Sequence, residues 1–277
     1  MNYKTILVHL DASKRVAERL AIAKRFADTF EAQLTGLFAL SAPRIPSYAL
    51  AEAGPVVIEA EARYRAEAAR VAENAFNAAT AQLTHGSEFR STIRDALAAV
   101  QLSARYADLV IAGQPEPEGS AGVASDFAEE LVLSAGRPVL FVPYAGSFPE
   151  VGRRVLVAWN AGREAARAVT DALPLLRRAS IVQVVAFDPR KGGADHGDVP
   201  GADIALVLAR HGVKVSVAQQ QSADVDVGNQ ILSRAADIQS DLIVMGAYGH
   251  SRLRELVLGG VTRTLLDTMT VPVLMSH

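Results

Sequence analysis

The sequence contains no cysteine, which removes disulfides, thiol nucleophiles, thiolate zinc sites and cysteinyl iron–sulfur clusters together. It also lacks any apolar run of about eighteen residues, so no membrane-spanning helix is expected. An excess of one charge is missing too: 28 Lys and Arg stand against 30 Asp and Glu, a formal charge of −2. No global field draws in nucleic acid or an anionic membrane. Near the start, the short run Ile6-Leu7-Val8 is soon interrupted by Asp11 and by Lys14-Arg15. It is too brief for a secretory segment, and the expected address is the cytoplasm.

What is present describes a globular chain, with half the residues apolar and 21% charged. At about 150 residues per domain, 277 residues suggest two domains. Comparing the sequence with itself supports that count, because short motifs recur. Thr5-Ile-Leu-Val-His-Leu-Asp11 matches Val155-Leu-Val-Ala-Trp-Asn160, and Asp108-Leu-Val-Ile-Ala-Gly113 matches Asp241-Leu-Ile-Val-Met-Gly246. The first pair lies 149 positions apart and the second 133, leaving sixteen surplus residues in the first copy. The Pro- and Ala-rich stretch Ala42 to Val57 is the natural place for that insertion.

Each copy alternates β-branched runs with segments of helical period, the pattern of parallel strands joined by helices. Strands are expected at 4–10, 33–40, 87–91, 108–113 and 138–143, then at 153–159, 180–186, 213–218, 241–246 and 271–275. Helical faces follow Val16, Leu20, Ala23, Ala27 and Phe30, then Ile93, Ala96, Leu97, Val100 and Ala104, then Ala165, Ala168, Val169, Ala172 and Leu176. Pro174 should bend or shorten the last of these. The expected fold is α/β: two tandem three-layer sandwich domains, Rossmann-like, each around a five-stranded parallel sheet. The Gly- and Pro-containing segment 144–153 reads as the linker, which gives domains of 1–147 and 148–277.

In open parallel sheets ligands bind beyond the carboxyl ends of the strands. The richest such place is Met245-Gly246-Ala-Tyr-Gly249-His250, continuing to Gly259-Gly260-Val261-Thr262-Arg263. It follows a strand and precedes a helix whose first amides and positive dipole end suit a phosphate. His250, Arg252, Arg254 and Arg263 surround it against Glu255 alone.

This Gly-x2-Gly-x9-Gly spacing, with Gly-Val-Thr after it, resembles the nucleotide loop of the universal stress protein family. The acid- or amide-ended first strand, the Asp-Leu-x-x-x-Gly strand and the closing Pro-Val-Leu strand extend the resemblance to both copies. It implies an adenine nucleotide, ATP or AMP, held in the second copy by Asn160, Met245, Gly246, Gly249, His250, Gly259, Gly260, Val261 and Thr262; whether Mg²⁺ accompanies it stays open. The first-strand residue would meet base and ribose, and the glycine loop the phosphates. Two positions depart from the family pattern: Asn160 stands where Asp is usual, and Gly260 where Ser or Thr is usual. The resemblance also implies that the closing strands pair within the chain as an internal pseudo-dimer; pairing of whole chains into a homodimer stays open.

The first copy keeps Asp11 but has Pro115, Glu116, Pro117 and Glu118 in its loop. Two donors are lost and two carboxylates face incoming oxygens, so this copy is not expected to take a triphosphate. Trp159 could stack on a base, although strand-end tryptophans more often pack. The segment Asp188 to Asp198, with His196 between acids, has too few fixed ligands for a metal site. No Gly-x-Ser-x-Gly, Gly-x4-Gly-Lys-(Ser/Thr), His-x-Gly-His or Ser-Gly-Gly-x-Asp-Ser motif occurs. The expected role is therefore a nucleotide-binding stress or regulatory protein rather than an enzyme. The alternatives are an interaction or apolar-ligand protein on the same fold, or a very slow ATPase.

Overall fold

The computed structural model describes residues 2–41, 47–116, 122–187, 199–221, 226–249 and 260–277. The first half runs β1 (Thr5–Leu10), α1 (Val16–Phe30), β2 (Gln33–Phe38), α2 (Ser47–Thr80), β3 (Ser87–Ser91), α3 (Ala96–Ala104), β4 (Leu109–Gly113), α4 (Phe127–Ser134) and β5 (Val139–Val142). The second repeats it as β6 (Arg154–Trp159), α5 (Arg163–Leu176), β7 (Ile181–Phe187), α6 (Ala202–Arg210), β8 (Val215–Gln220), α7 (Val227–Asp237), β9 (Leu242–Gly246), α8 (Val261–Thr268) and β10 (Val273–Ser276).

All ten strands form one sheet in the order β3-β2-β1-β4-β5-β10-β9-β6-β7-β8. Neighbours within each half are parallel. At the middle β5 and β10 pair antiparallel, with Leu140 opposite Leu274. The two closing strands thereby remove each other's bare edge. Chain order reverses between β1 and β4 and again between β6 and β9, and these points open crevices at the strands' carboxyl ends.

The repeated Asp-Leu motif has a structural cause. Asp108 accepts from the main-chain N–H groups of Lys4 and Thr5 at 2.8 and 3.0 Å. Asp241 likewise accepts from Gly152 at 2.8 Å and from Arg153 and Arg154 at 3.1 Å. Each carboxylate gathers otherwise unpaired amides where the first strand of its half begins. Helices cover both faces. One apolar cluster joins alternate strand residues such as Ile6, Val8 and Leu10 to α1, α2, α5 and α6. The other joins Leu7, Val110 and Ile243 to α3, α4, α7 and α8.

The strands fall within a few residues of the periodic runs; the helices differ more. Residues 47–57, read as part of an insertion, belong to the 34-residue α2, which contains Pro55. The surplus therefore lengthens a helix, where α6 has nine residues. Ile93 lies outside α3 and is exposed, because Asp95 caps the helix by accepting from Leu97 N–H. Pro174 sits in the last turn of α5, which ends two residues later. The segment between the halves is tied down: Phe148 is buried, its N–H donates to Glu18 at 2.7 Å, and Arg25 donates to its carbonyl. Replacing the fully buried Leu274 by Ala at the central pair should cost about 2–5 kcal/mol, read as a lower urea midpoint at unchanged slope.

Candidate functional site

In the first half the crevice at the ends of β1 and β4 is filled by the protein itself. Arg19, projecting from α1 and 1% exposed, donates to the carboxylate of Asp11, to Ser13 Oγ at 2.8 Å and to the His9 carbonyl at 3.2 Å. A side chain on Gly113 would lie 2.9 Å from this guanidinium, so the glycine makes room for arginine. Burial alone would raise the Asp11 carboxyl, but the charge and hydrogen bonds of Arg19 outweigh it and hold it below the ordinary range. His9 is buried against Phe127 with its Nε2 2.9 Å from the Ala39 carbonyl, and burial lowers its pKa. The acid expected to meet a base is thus already satisfied internally.

Beside it, between α1 and α2, lies a cavity of about 260 Å³. Val16, Ala17, Ala68, Val71, Ala72 and Ala75 give it apolar walls, with Asp11, Ser13, Tyr64 and Glu67 also lining it.

The second half brings most of the expected residues together. Asn160 follows β6, and its side-chain oxygen accepts from Gly162 N–H at 2.9 Å, turning the chain into α5. Met245 and Gly246 end β9; Met245 is buried, and a Cβ on Gly246 would lie 2.3 Å from Ala165 N. Only glycine lets β9 approach α5 this closely. Tyr248 adopts a left-handed φ of 56°, and a Cβ on Gly249 would lie 3.4 Å from Asn160 Nδ2. Buried Thr262 closes the group, its hydroxyl accepting from Tyr248 N–H at 3.2 Å. That bond draws the start of α8 to the end of β9. Gly260 is the N-cap of α8 and has no side chain to satisfy its first amides, which include that of Val261. His250 and Gly259 lie outside the described residues, as do Arg252, Arg254, Glu255 and the 188–198 segment.

Two electrostatic expectations change. Arg263, counted toward a phosphate, instead pairs with Glu129 of the first half at 2.9 Å. Glu164, which sequence reading passed over, is buried in the first turn of α5, and Oε2 would stand 3.1 Å from a Cβ on Gly249. Burial pushes this carboxyl up, but hydrogen bonds from Arg163 and its own N–H, with the charges of Arg163 and His277, bring it below its ordinary value. An acid at the second position of a helix was the available signal. Trp159 packs partly buried against the core.

Residues 152–277 match the model of the universal stress protein family. The C-terminal half is a universal stress protein domain. A universal stress protein from Archaeoglobus fulgidus superposes on the whole chain with a TM-score of 0.65 at 16% identity, covering 98% of this chain and 95% of its own. A functionally unknown protein from Pseudomonas aeruginosa gives 0.61 at 15% identity, with coverages of 99% and 92%. No curated protein matches the chain. At such identities the likeness speaks for fold, and the chain is a tandem of two universal stress protein folds.

Arg19→Ala should destabilise the chain by about 3–5 kcal/mol at pH 7, because it leaves Asp11 buried without its cation. The native Asp11 pKa is depressed, so its contribution is present above about pH 4 and lost as pH falls further. The gap between wild type and variant in urea melts should narrow there. His9 stays neutral when folded, so stability should also decline below about pH 6.5, less so in His9→Gln.

Proposed function

We propose that the C-terminal domain binds an adenine nucleotide, ATP or AMP, across the ends of β6 and β9. The observation that carries this reading is the convergence of Asn160, Gly249 and the glycine-capped start of α8 at one chain-order reversal. Asn160 would meet the ribose and base, with Met245 and Gly246 beneath. Backbone amides at Gly249, Gly260, Val261 and Thr262, with His250 and Gly259, would receive the phosphates. The buried carboxylate of Glu164 opposes phosphate charge, so a divalent cation such as Mg²⁺ would help a triphosphate more than a monophosphate. With no nucleophile-elbow or P-loop motif in the sequence, occupancy rather than chemistry is the output we assign: a cytoplasmic stress-response or regulatory role. We take residue 148 as the start of the second domain, and read the β5–β10 pairing as an internal pseudo-dimer of the two folds.

Isothermal titration with ATP and AMP tests this. Val261→Pro places a residue tolerated at the first helical position but deletes one amide; it should weaken binding about fivefold or more, a loss of about 1 kcal/mol, with an unchanged circular dichroism spectrum. Glu164→Gln should strengthen it. Absence of heat at millimolar nucleotide in wild type and Glu164→Gln alike would reject the site.

A second reading rests on the cavity between α1 and α2, whose walls suit a small apolar molecule. Native mass spectrometry of the purified chain separates the two: a copurified adenine nucleotide supports the first, a copurified apolar molecule lost in Ala72→Phe the second.

A further inference from the structure

Four of the five exposed large apolar side chains described in the C-terminal half belong to one edge. Val199 precedes α6, Leu206 and Val207 lie on α6, and Val217 lies on β8. Leu206 is 52% exposed and Val207 42%. The sequence of α6, Ala-Asp-Ile-Ala-Leu-Val-Leu-Ala-Arg, carries only Asp203 in its first turn and Arg210 in its last. Ala205 and Leu208 pack inward, so this helix is apolar on its inner and outer sides alike. A surface helix normally turns polar residues outward.

Beside it β8 is the last strand of the sheet, and Val215-Ser-Val-Ala-Gln-Gln220 holds no charge. An uncharged edge invites further strand pairing. The opposite edge is guarded: β3 carries the exposed pair Glu88 and Arg90, joined at 2.7 Å.

We propose that this edge binds a second copy of the chain about a two-fold axis. The charges on α6 select that occupant. Asp203 and Arg210 lie equally far from the point between Leu206 and Val207, so antiparallel self-pairing about that point sets Leu206 against the partner's Val207 in the centre. The same pairing sets Asp203 against the partner's Arg210 at both ends, and the helix dipoles oppose favourably. Such an isologous contact is closed. The inference is independent of the nucleotide reading.

Sedimentation velocity of the full chain over a concentration series tests it. The expected mass is twice 29.4 kDa. Leu206→Arg and, independently, Val207→Lys should each raise the dissociation constant by about tenfold or more. Asp203→Arg and Arg210→Asp should each weaken the dimer, whereas the two together should restore it toward wild type. All four positions are exposed, so the circular dichroism spectrum should be unchanged. A monomer at every concentration, a dimer indifferent to both patch variants, or a double charge swap weaker than either single one would overturn the proposal.

Discussion

The antiparallel pairing of β5 with β10 is the constraint on which the architecture depends. Each half, taken alone, ends its sheet on a short, fully buried apolar strand, Val139–Val142 or Val273–Ser276. Only the other half covers that strand's edge. Both helical layers then run across the seam, so the two apolar clusters each draw residues from both halves. Polar bonds fix the register: the Tyr3 hydroxyl donates to the Asp171 carbonyl at 2.7 Å, and buried Gln114 donates to the Leu266 carbonyl at 2.8 Å.

Within this near-symmetric frame the two crevices have gone different ways. The first is closed by a buried ion pair, whose desolvation is offset by a dense set of hydrogen bonds around Arg19. In the second, the place of a bulky cation is taken by backbone, since β9 rests against the start of α5 at Gly246. The glycines there consequently serve the protein's own packing before any ligand. Gly246 admits the α5 backbone, while Gly249 sits beside Asn160 and Glu164. What distinguishes the second crevice from the first is the start of α8, where the N-cap is a glycine and supplies no side chain to the first amides.

Much of this was legible in the sequence because strands buried on both faces are unmistakable runs. Leu109-Val-Ile-Ala and Leu242-Ile-Val-Met announce central strands, and the recurrence of Asp before each announces the repeat. Helix limits were harder. Pro55 and Gly54 look like loop residues, yet α2 passes through both. Ile93 fits the helical period, yet Asp95 starts the helix after it. Side-chain pairings were not legible at all, because they depend on distant elements: Arg263 finds Glu129 across the seam, and Arg19 turns back to Asp11 in the first crevice. Glu164 was hidden for the opposite reason, as a helix-start acid looks ordinary until its burial beside Gly249 is known.

The order of elements has a temporal consequence. β5 leaves the ribosome well over a hundred residues before β10, an interval on the order of ten seconds at ordinary rates of synthesis. During that interval the nascent first half holds a finished sheet with one sticky flank. Neighbouring chains on the same messenger present identical flanks at high local concentration. Translation speed across the second half therefore sets how long intermolecular swapping competes with correct closure.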